Sequence, residues 1–325
     1  MIGHQLSPTK SSPKILITCR AMQDAFPHYA PIAAELNWQL ISPELGGRQS
    51  FAADELAHHL EGVQGAIVGD DPVNRLSLSR ATELKAICKW GVGVDAVDRK
   101  ELRKRKILFD HTPGMFGREV ADVAFAYLVG LTRQLFAIDK EVRLGHWPKP
   151  RGYSLSDLTT VVIGFGDIGS SLTKLLTAAN SHVRIVETSD HRRAAAQKAG
   201  LDVFDELMPA ADGANTVLVA CPLTQSTHHL VDLAIMRALD HPSFVVNVSR
   251  GEIVRQSALV QALKDHVLDG VAMDVFEEEP LPTGDFLLSA PNVILGSHNA
   301  SNTVGAVKRA SMQAITKLSR LLDQA

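Results

Sequence analysis

The sequence predicts an α/β protein made of two doubly wound parallel-sheet domains. Two observations carry that prediction. From Lys14 onward, short β-branched or apolar runs alternate with longer amphipathic stretches. This is the order that builds a parallel sheet with helices on both faces. One run, residues 160–163, leads into G-x-G-x-x-G at Gly164, Gly166 and Gly169, followed by apolar residues at helix spacing (Leu172, Leu175, Leu176). A second strand-like run, residues 182–186, ends in Glu187, 21 residues beyond Gly166. Glycines at such a turn allow a tight bend, close approach of backbone to a diphosphate, and close packing of helix on strand. The free N–H groups of the helix N-terminus favour the negative charge, and the acid accepts from an adenosine ribose. A lone glycine-rich turn is weak evidence. Strand, glycines, helix, strand and acid together predict a dinucleotide site.

The elements follow in order. Residues 15–19, 38–41, 65–68, 85–88 and 107–109 read as short buried strands, separated by amphipathic stretches such as residues 52–60. Pro113-Gly114-Met115 breaks the pattern, and the spacing predicts one long helix over residues 119–142. Its apolar residues (Val120, Val123, Ala124, Tyr127, Leu128, Leu131) lie on most faces, which predicts burial between domains or subunits and hence a homodimer. A Trp147-Pro148-Lys149-Pro150 loop leads to the glycine-rich turn. Beyond Glu187, strands are expected at residues 216–220, 244–248, 271–273 and 293–295, with a helix over 256–265 and a last amphipathic helix after about Ser301. The predicted domains are residues 114–300, carrying the nucleotide site, and residues 1–113 with 301–325.

Composition narrows the function classes. The chain has 325 residues, enough for two substantial cores, with 45% hydrophobic and 21% charged residues. With 33 basic against 36 acidic residues there is no net field to draw in nucleic acid or an anionic membrane. Cys19, Cys88 and Cys221 are far apart and form no C-x-x-C pair, which points to a reducing compartment and to no structural metal site. Residues 1–13 are polar with two prolines and read as a loose tail, not a signal peptide. The longest apolar run, residues 123–131, is too short to span a bilayer. A cytoplasmic protein is expected.

Three stretches at predicted strand ends of the second domain carry polar groups, on the rim where open α/β sheets bind ligands. They are Asn247-Val248-Ser249-Arg250-Gly251, Asp274-Val275-Phe276-Glu277-Glu278-Glu279-Pro280, and Gly296-Ser297-His298-Asn299-Ala300-Ser301. A guanidinium at Arg250 suits a carboxylate, with two parallel hydrogen bonds. Taken singly, the acidic run is compatible with a solvated loop, and His298 is one of 13 histidines.

In that order, with Lys89-Trp90-Gly91-Val92-Gly93-Val94-Asp95, Thr112-Pro113-Gly114 and Cys221-Pro222-Leu223-Thr224, the motifs resemble those of the D-isomer-specific 2-hydroxyacid dehydrogenases, which include D-3-phosphoglycerate dehydrogenase, glyoxylate and hydroxypyruvate reductases, and formate and phosphite dehydrogenases. The resemblance runs over nearly the whole chain from Lys14. It implies a Rossmann NAD-binding domain inserted in a flavodoxin-like substrate domain, NAD as cofactor, a small 2-hydroxy or 2-keto acid as substrate, and a dimer. It also implies residue roles. Arg250 holds the substrate carboxylate and carbonyl, His298 is the acid/base, and Glu279 orients and charges it. Asp274 bonds the nicotinamide carboxamide and Glu187 the adenosine ribose. Asp167 and Ile168 meet the diphosphate beside Gly164, Gly166 and Gly169, while Cys221, Val248 and Ser249 line the cofactor cleft. The backbone of Gly91, Val92 and Gly93 grips the substrate carboxylate.

Several positions depart from the family pattern. Glu187 stands where many members have aspartate, which keeps the charge with a longer reach and points to NAD, although Arg192 and Arg193 nearby would favour a 2′-phosphate. Ser297 replaces the usual proline before the histidine, and Asn299 follows it. The chain ends at Ala325 without the C-terminal regulatory domain of some phosphoglycerate dehydrogenases, so serine feedback is not expected. Lys89 is either a partner for a distal phosphate or carboxylate or a solvated lysine at a strand end. Substrate identity stays open between 3-phosphoglycerate/phosphohydroxypyruvate and glyoxylate/hydroxypyruvate. A non-enzymatic NAD(H)-sensing corepressor and a formate- or phosphite-type dehydrogenase are the alternatives on the same fold.

Overall fold

The structure is a computed structural model that describes residues 12–325. The expected loose tail, residues 1–13, lies almost wholly outside the described residues. The chain divides into two compact units, one from the residues up to Met115 with Val304–Ala325, the other Phe116–Thr303. The boundaries expected from sequence were residues 113/114 and 300/301.

The first unit runs β1 (Lys14–Ile17), α1 (Arg20–Asp24), α2 (Ala30–Glu35), β2 (Gln39–Ile41), α3 (Ala53–His59), β3 (Gly65–Val68), β4 (Ala86–Lys89), α4 (Arg99–Lys104) and β5 (Leu108–His111). Its sheet is parallel throughout, in the order β2-β1-β3-β4-β5. Strands β3 and β4 are buried along their whole length, which is why residues 65–68 and 86–88 read as unbroken apolar runs rather than alternating ones.

The second unit begins with α5 (Gly117–Thr132) and α6 (Leu135–Arg143). It continues through β6 (Thr159–Ile163), α7 (Asp167–Ala178), β7 (His182–Val186), α8 (Asp190–Lys198), β8 (Asp202–Phe204), α9 (Leu207–Ala211), β9 (Thr216–Val219), α10 (Leu233–Arg237), β10 (Phe244–Asn247), α11 (Gln256–Lys264), β11 (Gly270–Met273) and β12 (Val293–Leu295). The parallel sheet has the order β12-β11-β10-β9-β6-β7-β8, so the winding reverses between β6 and β9. Ile163, Val219, Asn247, Met273, Leu295 and Val186 lie in one row across it. The residues that follow them therefore emerge along one rim. The chain then returns to the first unit as α12 (Val304–Gln324). Trp90 Nε1 donates to Ser311 Oγ (3.0 Å) and Lys317 Nζ to Asp110 (3.0 Å) and to the His111 carbonyl (2.7 Å), fastening α12 to β4 and β5.

The single helix expected over residues 119–142 is a correction. It breaks after Thr132, and the two pieces are bent by 65°. Gln134 is left-handed (φ 52°), a helix-ending conformation usually given to glycine. The Thr132 carbonyl, which a continued helix would satisfy from residue 136, accepts the Tyr153 N–H instead (3.0 Å). The apolar surface expected to meet another domain or subunit also moves. Val120, Ala121, Ala124, Leu128 and Leu131 are buried in their own unit, where α5 packs on α7 and on β10–β12. The exposed apolar side chains are Leu135, Phe136 and Val142 of α6, with Leu144 and Trp147 after it. No single helix among the described residues is long and apolar enough to cross a membrane.

Candidate active site

The glycine-rich turn sits at the point where the sheet reverses its winding, the usual ligand crevice of such sheets. Each glycine is there for a different reason. Gly164 is left-handed (φ 94°), and a Cβ there would lie 3.0 Å from the Cys221 backbone. A Cβ at Gly169 would lie 1.9 Å from the Gly164 carbonyl oxygen, so only glycine lets α7 sit this close to β6. At Gly166 the nearest atom to a Cβ is an Arg192 side-chain nitrogen at 3.8 Å. That side is open, where the other two are filled by the protein's own backbone. The residues fit a bound diphosphate, with Asp167 and Ile168 supplying the first N–H groups of α7.

Glu187 follows β7 and is buried. One carboxylate oxygen accepts from the Phe165 N–H and the other from the Ser189 N–H, both at 2.9 Å. The acid is thereby locked against the glycine-rich turn, with lone pairs left for hydroxyl donors. Arg192 Nη1 is 3.8 Å away.

Beyond β9 and β10, Ser249 Oγ donates to the Cys221 carbonyl. Val248 and Cys221 are both buried. Burial pushes the Cys221 thiol up to about 12, so it supplies no thiolate at neutral pH and is packing, not a nucleophile. Asn247, an unassigned member of the motif, folds the turn. Its Oδ1 accepts from the Ser249 N–H (3.0 Å) and its Nδ2 donates to the Arg250 carbonyl (2.8 Å). Arg250 Nη1 donates to the Ser249 carbonyl (2.9 Å), which steadies the guanidinium. A Cβ on Gly251 would lie 1.9 Å from the Phe276 carbonyl carbon, so this glycine lets the two rim loops touch.

Three sequence-distant groups meet after β11 and β12. His298 Nδ1 is 2.7 Å from Glu279 Oε2. The other oxygen, Oε1, accepts from the Phe276 N–H (3.0 Å), so the carboxylate is itself fixed. His298 is left-handed (φ 53°), and its N–H donates to the Asp274 carbonyl (2.7 Å). Strain of this kind is held by surrounding contacts and concentrates at functional sites. Asp274, almost fully buried, accepts from the Ala300 N–H on Oδ2 (3.0 Å) and is bonded to the Tyr127 hydroxyl on Oδ1 (3.1 Å). The sequence reading placed Tyr127 only on an apolar helix face.

In the first unit, Lys89 is not a solvated lysine. It is buried, with Nζ 2.9 Å from Asp70 Oδ1 and 3.0 Å from the Trp90 carbonyl. Its ammonium lies under Gly91, where a Cβ would come within 2.9 Å of Nζ. Gly91 has φ 135°, and its N–H donates to Thr112 Oγ1 (2.7 Å). That donor is engaged within the protein. Among the described residues, no group of three or more His, Cys, Asp or Glu side chains is placed to hold a metal ion.

Residues 125–300 match the family model described as the NAD binding domain of D-isomer specific 2-hydroxyacid dehydrogenases. The chain belongs to the D-isomer-specific 2-hydroxyacid dehydrogenase family. It is an oxidoreductase that acts on the CH–OH group of 2-hydroxy acids, with NAD as its cofactor. Among relatives of this dehydrogenase, a glyoxylate reductase from Thermofilum pendens is 32% identical over 259 residues, covering 78% of this chain and 76% of that one. A glyoxylate/hydroxypyruvate reductase from Arabidopsis thaliana is 29% identical, covering 78% and 77%. An NADPH-dependent glyoxylate/hydroxypyruvate reductase from Sinorhizobium meliloti, solved with NADP and malonate, superposes with a TM-score of 0.79 at 27% identity, covering 94% and 92%. A D-lactate dehydrogenase from Aquifex aeolicus (TM-score 0.83, 21% identity, 96% of each chain) shares the fold.

Proposed function

We propose that this dehydrogenase is an NADH-dependent reductase of short 2-keto acids, glyoxylate and hydroxypyruvate, in which His298 and Glu279 form the acid/base pair and Arg250 clamps the substrate carboxylate and carbonyl. The observation that carries the reading is the 2.7 Å contact between His298 Nδ1 and Glu279 Oε2 on the rim where Asp274 and Arg250 emerge. A carboxylate only accepts, so the shared proton belongs to Nδ1, and Nε2 is assigned to the substrate oxygen. In reduction the imidazolium gives its Nε2 proton to that oxygen; in oxidation the neutral ring takes it back. Arg250 stabilises the charge that develops on the same oxygen. The bound cofactor supplies or accepts the hydride at nicotinamide C4. Asp274 is assigned to its carboxamide, Glu187 to its adenosine ribose, Gly164, Gly166, Asp167, Ile168 and Gly169 to its diphosphate, and Cys221, Val248 and Ser249 to the cleft wall. The amides of Val92 and Gly93 are assigned to the substrate carboxylate.

The short substrates are favoured over phosphohydroxypyruvate because Asp70 already matches the charge of Lys89, and because the curated relatives above reduce glyoxylate or hydroxypyruvate. The test is purified protein with NADH and a panel of glyoxylate, hydroxypyruvate, pyruvate and phosphohydroxypyruvate. Fastest turnover of the phosphorylated acid contradicts the substrate, and no turnover of any of them contradicts the reaction. A homodimer belongs to the same proposal, with the exposed apolar residues of α6 as its surface; a monomer in sedimentation at micromolar concentration contradicts it.

NADH is expected to bind at least about tenfold more tightly than NADPH, a difference of ~1.4 kcal/mol. The reason is that Glu187 is buried and locked, and a 2′-phosphate brings like charge against it. Glu187→Ala narrows the gap, with Arg192 left to attract the phosphate. Titration of both cofactors measures it, and tighter NADPH binding by the wild type rules the assignment out.

A further inference from the structure

Asp274 is fastened in part by a group outside the rim stretches. Tyr127, from the middle of α5, reaches Oδ1 at 3.1 Å, opposite the Ala300 N–H on Oδ2. A carboxylate has no proton to give, so Tyr127 is the donor. Burial and the charge of Asp274 push the phenol far above its ordinary range, so the hydroxyl keeps its proton under all working conditions. With that proton directed at Asp274, Oη still has two lone pairs.

Gly296 makes the contact possible. A Cβ there would lie 2.3 Å from Tyr127 Oη and 2.1 Å from Asp274 Oδ1. Any side chain at 296 displaces one or both oxygens, so Tyr127 and Gly296 act as one device. With Val123, Ser297 and Asn299 they line an open cavity of about 180 Å³. That is below the roughly 300–1,000 Å³ of a site for a whole drug-sized ligand, and suits one end of a longer one. Asp274 Oδ1 and Tyr127 Oη thus set two hydrogen-bond acceptors 3.1 Å apart on the wall of a small subsite. The ligand group such a pair selects is one with two N–H donors on a single nitrogen.

We infer that Tyr127 is a positioning and specificity residue: it holds the Asp274 carboxylate in place and adds a second acceptor, so that the pair selects the primary carboxamide of the nicotinamide ring. The inference rests on the assignment of Asp274 to that carboxamide. It adds that recognition depends on a residue from α5, and that Gly296 is there to admit it. A pyridine ring with an acetyl group in the same place has no N–H to offer and gains nothing from either acceptor.

The test is the dissociation constant of NAD⁺ and of 3-acetylpyridine adenine dinucleotide, read by quenching of intrinsic tryptophan fluorescence, for wild type, Tyr127→Phe and Gly296→Ala. Wild type is expected to prefer NAD⁺. Tyr127→Phe is expected to lose about tenfold of that preference, by weaker NAD⁺ binding with the analogue unchanged within about twofold. Gly296→Ala should move the ratio in the same direction, because its methyl group displaces the same two oxygens. A merely structural Tyr127 weakens both ligands equally and leaves the ratio alone, and that result in both variants overturns the inference while the Asp274 assignment stands. A wild type that binds both cofactors equally overturns the Asp274 assignment itself, and the inference with it.

Discussion

Replacing His298 with alanine is expected to lower kcat/KM for 2-keto acid reduction and 2-hydroxy acid oxidation by about 10²–10⁴-fold, the range for loss of a positioned acid/base. NADH affinity is expected to stay within about twofold. His298 is held left-handed by its own N–H to the Asp274 carbonyl, and alanine keeps that bond. What is lost is the ring that Glu279 orients at 2.7 Å. Alanine tolerates φ near 53° less well than histidine, so part of the effect could come from the loop relaxing. His298→Asn separates the two causes. Asparagine accepts the left-handed conformation readily but carries no titrating ring, and it should be as inactive as alanine. An asparagine variant with near wild-type rates would mean that the histidine serves the loop and not the proton.

The second large effect is expected at Arg250. Removing one fixed donor to a developing oxyanion costs about 2.7–4 kcal/mol, or roughly 10²–10³ in kcat. Arg250→Ala should show that loss together with a higher KM, because the same guanidinium is assigned to the ground-state carboxylate. Arg250→Lys should recover little of it. An ammonium is a point donor and cannot form the two parallel bonds, nor keep the Nη1 bond to the Ser249 carbonyl that steadies the group. Steady-state kinetics with glyoxylate over a wide concentration range checks both numbers. A change in KM alone would assign Arg250 to binding without a part in the chemical step.

The sequence was most legible where a local pattern had a local cause. β3 and β6 were visible as apolar β-branched runs because buried parallel strands need no polar face. The rim groups were visible because they follow those strands. β8, only three residues long with a single β-branched valine, left no such pattern. The break between α5 and α6 was hidden for a different reason. No proline marks it, Gly130 lies inside α5 rather than at its end, and the bond that accompanies it is tertiary, from the Tyr153 N–H to the Thr132 carbonyl. Lys89 shows the same limit: its partner Asp70 is 19 residues away, on the neighbouring strand's loop, and nothing near position 89 announces it. The Tyr127–Gly296 device couples positions 169 residues apart, and each taken alone reads as ordinary, one on a helix face and one in a turn.

The reaction proposed for this dehydrogenase is direct hydride transfer from cofactor to a 2-keto acid, with the D-isomer as product. The measurement is incubation of purified wild-type protein with NADH dideuterated at C4 and hydroxypyruvate in ordinary water, followed by chiral separation and mass spectrometry of the glycerate. One deuterium at C2 of D-glycerate is the predicted result, with the label retained because it never exchanges with solvent. L-glycerate, D-glycerate without the label, or no glycerate at all would contradict this transfer.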